Sequence, residues 1–352
     1  MNCQDTAISP RVFITGVLGG IGFNTAQYLF SQGRLTLLKS NISVVGVDNF
    51  HPLSAPIVHH QHQLSILRKN PNFIFHALDV RRIKDFISIL QQINPTHLIH
   101  LAGASLSFPA VQPAKDILSD YLEVIRAVAV FSSETGLEVF RIGYRKTDSP
   151  AKVAEVREPL KSLSEIENKV ETLLIEQYPD AKITSINLPA LIGSGQSLNS
   201  FPVKQIWQLA SLVSPRIPST PETAECMGLF EAAKYLGNLI LDTSLKDHLY
   251  DQPSNRDLIL SQTHRVRTMD VFPQFRRWFP QKTEILQSPE TWAYPSNDDI
   301  LSTDDRWLSG QVDEIYQWLV HLPHFPSAKW YIKKKTERTE IINEEIKYLE
   351  SF

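Results

Sequence analysis

"TGVLGGIG", residues 15–22, is the stretch on which the reading of this chain turns. An apolar, β-branched run, "RVFITGV" (11–17), leads into it, and a helical pattern, "IGFNTAQYLFSQG" (21–33), leaves it. Glycines stand at 16, 19 and 22. At a strand-to-helix junction that spacing lets the turn be tight, lets the backbone approach a pyrophosphate, and points a helix N-terminus at the anion. Glycine-rich turns are common on their own; the strand before and the helix after supply the context that a phosphate cradle requires. Gly16, Gly19, Gly20, Ile21 and Gly22 are therefore expected around the diphosphate of a dinucleotide.

Outward from the cradle, apolar runs alternate with helical patterns. Strands are predicted at "ISVVGVDNF" (42–50), "FIFHALDV" (73–80) and "HLIHLAG" (97–103), with a helix in "RRIKDFISILQQINP" between the last two. A helix over about 114–136, a strand at "LEVFRIG" (137–143), a helix through "LSEIENKVETLL" (163–174) and a strand at "KITSINLPALIG" (182–193) continue the alternation. Near-continuous apolar strands alternating with helices argue for βαβ units. The fold class expected is α/β, a doubly wound parallel sheet of the Rossmann type over residues 8–195. Beyond 195 the regularity fades. Helices are expected at 203–213 and 225–241, in a smaller, mostly helical domain over 196–332, followed by a terminal helix at 333–352.

Three strand ends carry candidate ligand contacts. Asp48, with Asn49 beside it, closes the second strand, where a carboxylate can accept from the adenosine ribose hydroxyls and would repel a 2′-phosphate; this favours NAD over NADP. The competing reading is a turn cap. Asp79 and Val80 close the third strand, with Asp79 placed to accept from the adenine amino group or to cap a turn. Leu101, Ala102 and Gly103 end the fourth, where small residues leave room for the cofactor.

Composition excludes several classes. The 352 residues carry a formal net charge of -3, which gives no global attraction to nucleic acid or to an anionic membrane. Cys3 and Cys226 cannot build a disulfide framework or a four-ligand zinc site. With no signal-peptide pattern and no run of about 18 apolar residues, a cytoplasmic protein is expected. "HHQH" (59–62) reads as a polar loop near the adenosine side rather than a metal site, because no cysteine or carboxylate nearby completes a ligand set. Trp278, Trp292, Trp307, Trp318 and Trp330 are expected to anchor the second domain.

On "TGVLGGIG", "VVGVDNF", "LDV" and "PTHLIHLAG", the chain resembles the extended short-chain dehydrogenase/reductase family, and within it the UDP-glucuronate and UDP-galactose 4-epimerases and related dehydratases. "LPALIGSGQ" (188–196) is similar to a later segment of that family, with Leu188 where arginine is usual. The resemblance implies NAD as cofactor, a nucleotide-linked sugar or related hydroxylated metabolite as substrate, and a homodimer. It also implies hydride transfer to the nicotinamide while a tyrosine takes a hydroxyl proton, assisted by a lysine four residues on and a serine or threonine from the preceding strand. A phenol of pKa near 10 needs such a neighbouring cation to act as a base near pH 7.

Here the chain departs from the pattern. Aligned on "ETLL", Leu163 falls in the tyrosine slot and Glu167 in the lysine slot; a shift of two residues to use Lys169 puts Glu165 in the tyrosine slot. Tyr178 with Lys182 spans a proline-containing turn, and Tyr331 with Lys335 lies near the end of the chain. Tyr144 or Arg145 occupies the hydroxyl slot. Tyr144 is either a relocated acid with Arg145 or Lys146 depressing its pKa, or a side chain filling the volume of a lost substrate site. Tyr144, Arg145 and Glu167 are thus the candidate catalytic residues. Two functions remain open: an epimerase/dehydratase-type enzyme with altered acid/base residues, or a non-catalytic protein that binds a dinucleotide or nucleotide sugar.

Overall fold

The apolar runs fold as a parallel sheet covered on both faces, as their lack of polar alternation requires. The computed structural model describes residues 10–35, 42–50, 57–103, 114–144, 158–196, 203–211, 223–241, 257–259, 264–267 and 303–322. β1 (Arg11–Thr15) lies between β2 (Ser43–Asp48) and β4 (His97–His100). β3 (Phe73–Ala77) extends the sheet on one side, and β5 (Glu138–Tyr144), β6 (Ile183–Leu188) and β9 (Asp257–Ile259) extend it on the other. The order β3-β2-β1-β4-β5-β6-β9 is parallel throughout and reverses direction between β1 and β4. In open α/β sheets ligands bind outside the carboxyl ends of the strands at such a switch point.

Right-handed crossovers decide which helix covers which face. α1 (Gly20–Leu35) and α2 (Ile57–Leu67) connect β1 to β2 to β3 and share one face. α3 (Ile83–Ile93) carries the chain back to β4, and α4 (Ala114–Thr135) and α5 (Glu158–Gln177) connect β4 to β5 to β6 on the opposite face. There Phe86 and Leu90 of α3 and Val124, Val128 and Ala129 of α4 bury against Phe13, Val45, Val47, Leu98, Val139 and Ile183 of the sheet. The predicted end of α3 is set by Asn94, which takes the left-handed conformation (φ 48°) and donates its N–H to Leu90 O at 2.8 Å.

Contacts divide the chain into one unit of Met1–Leu188 with Glu231–Leu260 and another of Pro189–Phe230 with Ser261–Phe352. Several expected elements are redrawn. The run 182–193 is two strands, β6 and β7 (Ala190–Ile192), separated at Pro189, which has no N–H to give a ladder. β7 pairs with β8 (Thr223–Gly228), and β8 pairs antiparallel with β10 (His264–Arg267) in a small second sheet. The helix expected from 225 begins at 229 as α7 (Leu229–Leu241), because the residues before it are taken by β8. The other expected helix is α6 (Val203–Ala210).

In the second unit α6 and α8 (Thr303–Val320) bury Ile206, Trp207, Leu308, Val312, Ile315 and Leu319 with Ile192 and Cys226. Trp307 and Trp318 pack against that cluster; the helix expected at 333–352 and Trp278, Trp292 and Trp330 lie outside the described residues. In the first unit "HHQH" is a turn of α2 rather than a loop, with His59 and His60 buried. Helix packing overrides the polar appearance of that stretch.

Candidate functional site

The cradle is built from β1, the glycine turn and the start of α1. Gly16 sits at φ +68°, and a Cβ there would lie 3.0 Å from the Ala102 nitrogen. A Cβ on Gly22 would fall on the Gly16 carbonyl oxygen and 2.8 Å from Val17 Cα, so only glycine lets α1 start this close to the turn. Gly16 and Val17 donate to Val47 O, and Gly19 donates to Gly16 O at 3.0 Å. Phe23 N–H, donating to Gly19 O, is the first amide of α1 to find a carbonyl in its own turn. The amides of Gly20, Ile21 and Gly22 are the orphan donors of a helix start, and no acidic side chain occupies the first turn. Partial positive charge there suits a diphosphate.

Thr15 latches the cradle to β4. Its Oγ1 accepts N–H groups from Leu101 and Ala102, each at 3.0 Å, and lies 2.9 Å from His100 Nδ1. With both acceptor positions used, the hydroxyl proton goes to Nδ1, which places the His100 proton on Nε2. Burial, and next the Arg141 cation, push the His100 pKa down to about 4, so the ring is neutral near pH 7.

Asp48 faces the same turn. Its Oδ2 accepts from Leu18 N–H and its Oδ1 from Phe50 N–H, both at 3.0 Å. Burial raises its pKa, opposed by His60 and by the amides of Leu18, Phe50 and Asn49. Three amides on two carboxylate oxygens leave one lone pair open. Phe50 is held in the left-handed region (φ 52°) with its ring edge-on to Phe75 and His60. Asn49 is exposed and donates to Asp79 Oδ2 at 3.1 Å. Asp79 is also gripped by Arg81 through Nε and Nη2, which with its other hydrogen bonds holds its carboxyl down at about 2. Asp79 and Val80 lie beyond β3, which ends at Ala77 rather than running to 80, and Gly103 is exposed beyond β4, which ends at His100.

Among the candidate catalytic residues, Glu167 is described in full. It is 2 % exposed on α5, with Oε2 2.8 Å from Nη1 of Arg141, itself 1 % exposed in β5. Tyr144 is the last residue of β5, in register with Leu188; its side chain, and Arg145 altogether, lie outside the described residues. Arg141 also donates to the hydroxyl of Tyr121, a buried residue of α4 whose ring stacks with His100 at 6.4 Å. Burial raises the Tyr121 pKa, with Arg141 opposing, so the phenol stays protonated.

Register unites these groups. Thr15 pairs with His100, His100 with Arg141 and Arg141 with Ser185, a transverse polar row on one face of the sheet, one step above apolar Phe13, Leu98, Val139 and Ile183. Sequence reasoning passed over Thr15, His100, Tyr121 and Arg141. An arginine inside the apolar run "EVFRIG" was the available signal, since a charge in a strand covered on both faces must find a buried partner. No group of three or more potential metal-binding side chains occurs among the described residues.

Residues 12–148 match the sequence profile of the NAD dependent epimerase/dehydratase family. A UDP-glucuronate 4-epimerase from Thermodesulfobacterium geofontis is 29% identical over 103 residues, a stretch that spans 28% of this chain and 29% of that protein. The crystal structure of UDP-glucuronic acid 4-epimerase from Bacillus cereus, in complex with UDP-glucuronic acid and NAD, superposes with a TM-score of 0.64 at 13% identity, covering 89% of this chain and 100% of that one. A yeast methylglyoxal/isovaleraldehyde reductase complexed with NADPH gives 0.58 at 13% identity, covering 88% and 97%. The structural likenesses are of fold. Together with the profile match they bear out the resemblance read from residues 11–103: this chain is epimerase/dehydratase-like, on a doubly wound sheet.

Proposed function

We propose that the chain binds NAD across the switch point between β1 and β4 and acts on a nucleotide-linked sugar, or a related hydroxylated metabolite, with acid/base residues other than a tyrosine–lysine pair. The cradle carries this reading: orphan amides at the start of α1, glycines whose side chains would close it, and Thr15 fixing it to β4. Gly16, Gly19, Gly20, Ile21 and Gly22 would hold the diphosphate, and Asp48 the adenosine ribose through its remaining lone pair. Asp48 would also disfavour a 2′-phosphate, hence NAD over NADP. Asp79 already serves Arg81 and Asn49, so adenine would be held chiefly by its surroundings at the ends of β2 and β3. Bound NAD would supply a hydride acceptor above β4 and β5.

One observation favours a second reading, a binder without turnover. Glu167, in the slot where a lysine would supply positive charge, is neutralised by Arg141 and buried. The test has two steps. Cofactor-stripped protein titrated calorimetrically with NAD and NADP is expected to bind NAD at least roughly 10-fold more tightly, a difference of about 1.4 kcal/mol. A folded protein that binds neither overturns the proposal. NAD-loaded protein is then incubated with UDP- and dTDP-linked sugars and followed by NMR: epimerised or dehydrated product supports the enzyme, and an unchanged panel with NAD bound supports the binder.

A further inference from the structure

A dinucleotide lying across a doubly wound sheet puts one mononucleotide over each half, with the diphosphate at the first helix N-terminus. With the cradle at α1 and Asp48 on the adenosine side, the second ribose and its base fall over β4, β5 and β6. Under that half the described residues place a chain of contacts. A Cβ on Gly16 would touch Ala102, and one residue further a Cβ on Gly103 would lie 2.9 Å from Tyr121 Cε2. The Tyr121 ring is therefore packed directly beneath the exposed glycine that borders the cofactor end of β4. Its hydroxyl accepts from Arg141, and Arg141 is fixed by Glu167 at 2.8 Å.

We propose that Tyr121 is the hydrogen-bond donor for the nicotinamide-ribose end of the dinucleotide, and that Arg141 and Glu167 are positioning residues that hold its hydroxyl there. This rests on the NAD-binding reading above. The argument is one of valence. A phenol that accepts from a guanidinium retains its own proton to donate. Arg141 is a donor only, so the Tyr121 proton points to another acceptor, and a ribose hydroxyl or amide carbonyl over β4 supplies one. Glu167 has a role in this arrangement that a lysine could not fill, because two buried cations would face one another. Arg141 comes from inside the sheet, so the positive charge reaches the site from β5 rather than from α5, with Glu167 as its counter-ion.

The test separates the two ends of the cofactor. Wild type and Tyr121→Phe, which keeps the ring beside Gly103 and His100, are titrated with NAD and with ADP, which lacks the second ribose and the nicotinamide. Loss of one hydrogen bond is expected to weaken NAD by roughly 3- to 10-fold and to leave ADP unchanged. Glu167→Asp shortens the positioning arm while keeping its charge; it is expected to lower the NAD-to-ADP affinity ratio in the same direction by a smaller factor, and it serves alone if Tyr121→Phe does not fold. An unchanged ratio, or a loss falling equally on NAD and ADP, overturns the proposal. Failure of folded wild type to bind NAD is a different result, which overturns the NAD reading itself and this assignment with it.

Discussion

Thr15 shows how much one side chain carries. Its Oγ1 receives the Leu101 and Ala102 amides and gives its proton to His100, so a group with no charge joins the cradle to β4. Thr15→Val keeps the shape and removes all three bonds. The Ala102 N–H loses its acceptor, at a cost of about 1–3 kcal/mol, while the Leu101 N–H keeps the Thr15 carbonyl at 3.3 Å. Urea unfolding is expected to show a loss of roughly 2–4 kcal/mol, with Thr15→Ser retaining most of the stability; equal losses in the two variants would show that the hydroxyl is not the latch. The glycine turn and the strand end at Asp48 were legible in the sequence because glycine spacing and hydrophobic period are local. Thr15 stood inside the quoted motif without drawing notice, because its partners come from residues 85 to 87 positions away.

At the scale of elements, the decisive feature is the ion pair between β5 and α5. Burying a lone charge is far more costly than burying a matched pair, so removing either partner is expected to destabilise by about 3–5 kcal/mol. Arg141→Ala and Glu167→Ala should each do so in chemical denaturation. The double change Arg141→Met with Glu167→Leu should recover most of that loss, since apolar pairs of similar volume are often neutral or better. Additive losses in the double variant would contradict the pairing. Glu167→Lys restores the residue type expected in that slot, yet faces Arg141 and is expected to be worse than Glu167→Gln in the same measurement. The helix itself was legible, because apolar residues recur at three- and four-residue spacing; Val170 and Leu173 are indeed buried. Its electrostatic role was not, because the partner sits on a different element 26 positions earlier.

For the whole molecule, pH dependence follows from two buried histidines. His100 is pushed down to about 4, by burial first and then by Arg141, and His59 to about 3, by burial first and then by His60 and His62. Both folded pKa values lie below the unfolded value near 6.5. The unfolded chain therefore takes up protons first, and stability present in full above pH 6.5 is lost as pH falls toward 4 and then 3. The slope of unfolding free energy against pH is expected to be positive across that window, to approach two protons at about pH 5, and to fall as His100 and then His59 take up protons in the folded state. The His100→Gln variant should flatten its upper part; a flat wild-type profile between pH 6.5 and 4 would contradict this account. By itself the sequence determined the α/β class, the positions of the first strands along the chain and the glycine turn between the first strand and helix, because glycine spacing, hydrophobic period and helix stops are local and act within a few residues. Tertiary structure alone decided that residues 223–228 form a strand, and it also set the burial of the histidines of α2 and the alignment of Thr15, His100 and Arg141 in one row. Each of these depends on the register between strands distant in the chain, and on which groups lose water when helices close over the sheet, neither of which a linear pattern encodes.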